Sequence, residues 1–170
     1  MFVATKDTKV IAIHEIEWQC RRNAKGLEKS EYWTWLATVT SGDPPVFDFS
    51  GEDYEIVETE VDIQGLNESG HITNTIDGTS YHLKWDASKK EVVTDDTAKA
   101  AWELAEEWKQ IRTERTRLLA ETDWVVIKAR ENGGQVPAAW KTYRVALRDI
   151  PSEQSDKTKY SEITWPTKPS

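Results

Sequence analysis

Short runs of β-branched and aromatic residues, separated by turn residues, fill the first half of the chain. Residues 2–5 and 9–13 flank a short polar turn and predict an opening hairpin. The dipeptide Asp77-Gly78 predicts a second hairpin between residues 73–76 and 79–85, because it tolerates the positive φ angles of a tight turn. The same composition predicts three further strands, at residues 32–39, 54–63 and 90–93.

From residue 95 onward the apolar residues recur at spacings of three and four, which is the period of an amphipathic helix. Asp95-Asp96-Thr97 supplies capping side chains and negative charge at its start. The apolar stripe contains Ala101, Leu104, Trp108, Ile111 and Leu118. This pattern predicts one helix of about 25 residues, which is long for a globular domain.

Capping and helix-breaking residues predict two shorter helices after the long one. Thr122-Asp123 can cap a second helix, which Asn132-Gly133-Gly134 ends. Pro137 suits the first turn of a third helix, from Ala138 to about Arg148, and Ile150-Pro151 is expected to stop it. The remaining residues predict a polar loop and an extended, proline-containing tail.

These elements predict an α+β protein in which a β-rich N-terminal domain precedes a long helix, two shorter helices and an extended C-terminal tail. Charge supports a boundary between residues 94 and 95. Residues 1–94 contain 9 lysines and arginines against 17 aspartates and glutamates, whereas residues 95–170 contain 13 of each. We expect residues 1–94 to form a docking or structural domain and residues 95–170 to form a separate helical region.

Composition argues against several classes of protein. A net charge of −8 does not provide the basic footprint of a nucleic-acid-binding protein. No apolar segment approaches the ~20 residues of a membrane span, and the N-terminus does not resemble a signal peptide. The single cysteine, Cys20, cannot form an intrachain disulfide. We therefore expect synthesis in the cytoplasm, and neither a membrane nor a nucleic acid as partner.

The residue types that usually carry catalysis or bind metals do not form a motif here. The three histidines lack zinc-ligand spacing with the single cysteine. Glu58, Glu60 and Asp62 alternate along a predicted strand, where a solvated acidic face is a better interpretation than a cation site. Arginines in residues 112–117 could bind phosphate or an acidic partner, but an ion-paired helix face explains them better. We expect no catalytic residue, metal, cofactor or small-molecule substrate.

The aromatic residues of the helical region are the candidates for binding a partner protein. They are Trp102, Trp108, Trp124, Trp140, Tyr143 and Trp165. A small core accounts for most of these rings, because each buries a large area. Tryptophan and tyrosine are also favoured interface anchors, and we expect at least one ring to face a partner. Trp165 is the best candidate, unless the tail folds back and Trp165 seals the helical core.

Three motifs occur in order in the last third of the chain. They are Arg117-Leu118-Leu119-Ala120-Glu121-Thr122-Asp123-Trp124, the pattern W-x-x-Y-R-x-A-L-R-D-I from Trp140 to Ile150, and Trp165-Pro166-Thr167-Lys168-Pro169. Together they resemble the phage tail assembly chaperone family, over about residues 112–169. The motif residues that we expect to be structural are Leu118, Leu119, Asp123, Arg144, Leu147, Arg148 and Asp149.

Two contacts are expected within the helical region. Asp123 should cap a helix or form an ion pair with Arg144 or Arg148. Trp124 should pack against Leu147, and its ring would then matter for stability. An exposed Trp124 would instead face a partner.

The resemblance implies a small, non-enzymatic protein that binds a phage tail fibre or tail spike protein, a β-rich trimer, and assists its folding or trimerisation. Such trimers form slowly, and their intermediates expose apolar surface. Action in the host cytoplasm during assembly is implied, with retention in the virion tail left open. The alternative is a structural subunit of the tail or tail fibre that keeps the module as a permanent connector. A small hydrolase is less favoured than either.

Overall fold

The chain divides into two compact units, Met1–Lys99 and Ala100–Ser170. The structure, a computed structural model, describes residues 1–42, 46–75 and 78–169. The described strands are β1 (Phe2–Lys6), β2 (Lys9–His14), β3 (Thr40–Ser41), β4 (Val46–Phe47), β5 (Glu55–Glu58), β6 (Ile72–Thr75), β7 (Gly78–Tyr81), β8 (Leu83–Asp86) and β9 (Glu91–Thr94). The helices are α1 (Glu17–Lys25), α2 (Lys29–Val39), α3 (Ile63–Glu68), α4 (Asp96–Ala120), α5 (Asp123–Glu131) and α6 (Ala138–Glu153). The predicted α+β class is confirmed.

The N-terminal unit is built on an antiparallel sheet with the strand order β5-β1-β2-β8-β9. The predicted opening hairpin is confirmed, since β1 pairs with β2 and Val3 lies opposite Ile13. Successive β1 residues point to opposite faces of the sheet. Val3 accordingly belongs to one buried cluster, and Ala4 belongs to another, with Cys20 of α1.

The strand predicted for residues 32–39 is wrong, because these residues lie in helix α2. A capping box begins this helix, in which the Glu31 carboxylate accepts a hydrogen bond from the backbone N–H of Glu28 at 2.9 Å. β-propensity depends strongly on context, so aromatic and β-branched residues do not exclude a helix that is capped locally. Helix α1 was not predicted either.

The strand predicted for residues 54–63 is too long. Only Glu55–Glu58 forms a strand, and α3 begins five residues later. Asp62 caps α3, accepting a hydrogen bond from the backbone N–H of Gly65 at 3.0 Å. Glu58, Glu60 and Asp62 therefore do not share one strand face as expected.

The second predicted hairpin forms, but its details differ. Strands β6 and β7 pair, and Gly78 lies opposite Thr75 inside the ladder, so Gly78 is not a turn residue. Asp77, the other residue of the predicted turn, lies outside the described residues. The strand predicted for 79–85 is interrupted at His82, since β7 and β8 belong to different sheets.

The long helix agrees with its prediction. Helix α4 has 25 residues, and Asp95 caps it by accepting a hydrogen bond from the backbone N–H of Ala98 at 3.1 Å. The division between the two units falls in the first turn of this helix. Among the described residues, no helix is both long enough and apolar enough to span a membrane.

The predicted stop at Ile150-Pro151 is wrong, because α6 continues to Glu153. Proline removes one backbone N–H donor from the helix, but the residues on either side of it keep helical structure. Ile150 is only 2% exposed in the core of the C-terminal unit. Its carbonyl accepts a hydrogen bond from the backbone N–H of Gln154 at 3.0 Å.

Candidate partner-binding surface of the helical unit

One arginine holds the turn between α4 and α5. Arg144 on α6 donates hydrogen bonds to the Leu119 carbonyl at 2.8 Å, to the Thr122 hydroxyl at 2.5 Å and to the Asp123 carboxylate at 2.7 Å. The expected pairing of Asp123 with Arg144 is thereby confirmed. The Thr122 side chain, however, does not cap α5 as predicted. Thr122 is fully buried, and its hydroxyl donates back to the Leu119 carbonyl at 2.9 Å.

The inner face of α6 forms most of the core of this unit. Tyr143, Leu147 and Ile150 recur at helical spacing, are each at most 4% exposed, and pack with Ile111 of α4. The partly buried residues that pack against this core are Trp108, Leu118, Leu119, Trp140 and Trp165. Four of the six candidate aromatic residues, Tyr143 among them, thus contribute to packing. Trp102 is half-buried on α4.

The C-terminal tail folds back onto the helices, which is the second of the two arrangements that the sequence left open. Ile163 is 7% exposed in the core, and Trp165 packs beside it. Gln154 holds the tail on both sides of Thr164, since its amide donates to the Thr164 carbonyl at 2.9 Å and accepts from the Thr164 N–H at 2.8 Å. Whether Trp165 also contacts a partner stays a prediction.

Helix α5 presents apolar side chains to solvent. Trp124 and Ile127 are each 55% exposed, and we refer to these two residues as the α5 ridge. The expected burial of Trp124 against Leu147 is wrong, and its ring instead lies edge-on to Trp140 with 6.3 Å between centroids. The neighbouring Val125, at 5% exposure, takes the inward position. Successive helical residues point about 100° apart, so an inward Val125 turns Trp124 outward.

A groove of about 370 Å³ lies between α5 and α6. Its apolar lining is Val126, Val136 and Val145, and its cationic lining is Arg130, Lys141, Arg144 and Arg148. The loop after α5 also lines the groove, through Gly134 and Gln135. In this loop Gly133 adopts a φ of 65°, and the Gly134 N–H donates to the Ala129 carbonyl at 2.8 Å. We refer to this feature as the α5/α6 groove. Sequence reasoning missed it, because its residues come from three segments.

The remaining motif residues lie on the surface. Asp149 and Arg148 are exposed on α6. In the arginine-rich part of α4, Arg117 forms ion pairs with Glu114, at 2.6 Å, and with Glu121. The hydrogen bond from Arg117 holds the pKa of the Glu114 carboxyl below its usual value. The ion-paired helix face predicted for this segment is confirmed at Arg117.

The N-terminal unit contains a hydrogen-bonded chain that sequence reasoning also missed. The His71 ring lies 2.9 Å from the Ser69 hydroxyl through Nδ1 and 2.9 Å from the Asp96 carboxylate through Nε2. The Ser69 hydroxyl also donates to the Leu66 carbonyl at 3.2 Å. We interpret this series of hydrogen bonds as a connection between the end of α3 and the start of α4.

The described residues offer few candidates for nucleophilic catalysis or metal binding. Cys20 is fully buried, and burial raises the pKa of its thiol to about 11, so the reactive thiolate is scarce at neutral pH. The described residues contain no group of three or more histidines, cysteines, aspartates or glutamates that could hold a metal ion.

Comparison with known proteins found one family match, in the C-terminal part of the chain. Residues 108–170 match the model of a family described as phage tail assembly chaperone protein. The match confirms the resemblance for the C-terminal part of the chain, and it supports a role in phage tail assembly. The family suggests a non-enzymatic role. No curated protein and no solved structure matches this chain.

Proposed function

We propose that this chain, whose C-terminal part matches the phage tail assembly chaperone family, binds a tail fibre or tail spike protein and assists its folding or trimerisation. The observation that carries the proposal is the exposure of Trp124, the last residue of the first motif. Four other residues of that motif have contacts within the helical unit. Leu118 and Leu119 pack on the core, Thr122 is buried, and Asp123 pairs with Arg144.

Exposed apolar side chains on the α5 ridge favour binding to another apolar surface. Covering the exposed half of Trp124 or Ile127 would contribute roughly 1–1.5 kcal/mol each, given ~1.5–3 kcal/mol for burying a whole large side chain. Tryptophan is also strongly enriched among the residues that dominate binding energies. The ridge is therefore the best-supported contact surface of the helical unit.

A β-rich trimer is a partner that would need such a surface. Its strands pair over long sequence separations, so folding is slow and intermediates expose apolar surface and unpaired strand edges. A ridge that covers this surface reversibly would keep the subunits soluble until they assemble. We place this action in the host cytoplasm during virion assembly.

Co-expression of the full chain with the tail fibre gene of the same phage tests this function. We expect the chain to raise the yield of soluble trimeric fibre and to co-purify with it. The double variant Trp124→Ala/Ile127→Ala should lose both effects without a large loss of stability. Leu104→Ala is the matched control, since Leu104 is 40% exposed on α4, outside the ridge, and its removal should leave the yield unchanged. An insoluble fibre in the presence of the unmodified chain would contradict the proposal.

Composition of purified virions separates this function from the structural alternative. A chaperone that leaves the finished fibre is absent from particles, whereas a connector is present in a fixed copy number. Quantitative mass spectrometry of purified particles therefore decides between assistance and permanent incorporation.

A further inference from the structure

We propose that the α5/α6 groove binds an acidic segment of the tail protein, an extended stretch that carries carboxylates beside aliphatic side chains. This inference rests on the proposed function and names the chemistry of the partner. It assigns a role to charged residues that the packing of the helical unit does not explain.

Three cations of the groove have no partner within the described chain. Arg130, Lys141 and Arg148 are exposed, and among the described residues their side chains form no ion pair or hydrogen bond. No acidic residue lines the groove in the described structure. This is a local excess of positive charge in a chain with 30 acidic and 22 basic residues. Charge complementarity therefore favours an anionic occupant.

Arg144 is the fourth cation of the groove, but it is already engaged. Both terminal nitrogens of its guanidinium donate hydrogen bonds to the α4–α5 turn, and its charge is paired with Asp123 at 2.7 Å. Its side chain is only 11% exposed. Arg144 therefore lines the groove but is held by its own hydrogen bonds. The other three cations remain available to a ligand.

The spacing of the groove residues suits an extended segment. On α6, Lys141, Val145 and Arg148 lie at intervals of four and three residues, so they share one face of the helix. Val126 and Arg130 are four residues apart on α5 and likewise share a face. Each helix therefore offers an apolar side chain next to a cation. An occupant that alternates aliphatic and acidic residues matches both walls.

The apolar lining favours a peptide over a nucleic acid. Val145 is 42% exposed, and it can contact an aliphatic side chain but offers nothing to a phosphate backbone. The net charge of −8 also repels a polyanion as long as a nucleic acid. Arginine binds a single carboxylate through a planar fork of two hydrogen bonds, so Arg130 and Arg148 can each hold one acidic side chain.

Fluorescence anisotropy with the full chain tests the groove. The probe is a fluorescein-labelled peptide of alternating glutamate and valine, and its counterpart carries glutamine in place of glutamate. We expect the acidic peptide to bind and the glutamine peptide to bind at least about tenfold more weakly, with affinity falling as salt rises. Arg148→Glu should weaken binding of the acidic peptide about tenfold, because it reverses the charge within the groove.

Arg112→Glu is the matched control. Arg112 is an exposed arginine on α4 that does not line the groove, and its reversal changes the net charge equally. We expect a change in affinity below about twofold. An equal loss in both variants would show that overall charge decides binding, and it would overturn the proposal. Equal binding of the glutamine peptide would overturn it as well, as would a single-stranded DNA oligonucleotide that binds the groove more tightly than the acidic peptide.

Co-expression separates failure of this inference from failure of the proposed function. If Arg148→Glu supports soluble fibre as well as the unmodified chain does, the groove does not hold the tail protein, while the chaperone function stands. If the unmodified chain does not raise the yield of soluble fibre, the proposed chaperone function is wrong. The proposal that the groove binds an acidic segment of the tail protein is then wrong as well. Loss of fibre yield in Arg148→Glu but not in Arg112→Glu supports both the chaperone function and the binding of the tail protein in the α5/α6 groove.

Discussion

The two helices that follow Thr122 place their large side chains in opposite directions. Helix α6 directs Tyr143 and Leu147 into the core, at 4% and 0% exposure. Helix α5 leaves Trp124 and Ile127 each 55% exposed. Both helices belong to the same three-motif pattern, so its residues divide into some that hold the unit together and others that remain available to a partner.

The same division separates two arginines of α6. Arg144 and Arg148 lie one helical turn apart, yet Arg144 is largely buried and donates hydrogen bonds to three groups of the α4–α5 turn. Arg148 is exposed, and no described residue pairs with it. A charged residue in this motif is therefore structural only where the neighbouring turn supplies its acceptors.

The largest effect is expected on the inner face of α6. Leu147→Ala should lower the free energy of unfolding by about 2–5 kcal/mol, because it leaves a cavity in the core around Ile111. Val145→Ala on the outer face, where Val145 is 42% exposed, should cost less than about 1 kcal/mol. Urea denaturation of both variants checks the contrast. Similar losses would mean that the two faces of α6 are equally buried.

Arg144→Met should have the next largest effect. It removes hydrogen bonds from a charged donor to Leu119, Thr122 and Asp123, and we expect a loss of about 1.5–3 kcal/mol. Arg144→Lys should not restore stability, because an ammonium cannot reproduce the planar fork. Arg148→Met is the matched change, with an expected effect within about 0.5 kcal/mol. Thermal unfolding followed by circular dichroism measures the stability of all three variants. A loss of stability in Arg148→Met similar to that in Arg144→Met would show that both arginines are structural.

Trp124→Ala should affect stability only modestly. The ring contributes its edge contact with Trp140, and such aromatic pairs stabilise by about 0.5–1.5 kcal/mol. Differential scanning calorimetry gives the shift in Tm. A loss of 3–5 kcal/mol, which is typical of a buried aromatic residue, would place Trp124 in the core and remove the α5 ridge as a binding surface.

The smallest effect is expected at the exposed ion pair of α4. Glu114→Gln removes one of the two ion-pair partners of Arg117 and should lower stability at pH 7 by less than about 0.5 kcal/mol. Because the pKa of Glu114 is lowered in the folded state, its contribution is present above the unfolded pKa of glutamate and is lost as pH falls through the folded pKa. Unfolding measured from pH 7 down to pH 3 should show the variant and the unmodified chain converging.

Elements whose signals are local agree with the structure. The stripe of apolar residues and the Asp95 cap predicted α4, since helical periodicity and capping need only neighbours in sequence. The opening hairpin was predicted for the same reason, because its two strands are joined by a short turn. Asp123 was expected to cap a helix or to form an ion pair with Arg144 or Arg148, and only the structure identifies Arg144 as the partner.

Residues 32–39 have strand-like composition, yet they form a helix whose capping box at Glu28 and Glu31 is a local signal that the prediction overlooked. The tertiary structure decided how the helices pack, because packing lies beyond the range of local patterns. The expected burial of Trp124 against Leu147 is wrong, since α5 could place either Trp124 or Val125 inward with little change in its apolar pattern. In the folded unit Val125 is only 5% exposed, and Trp124 consequently faces solvent.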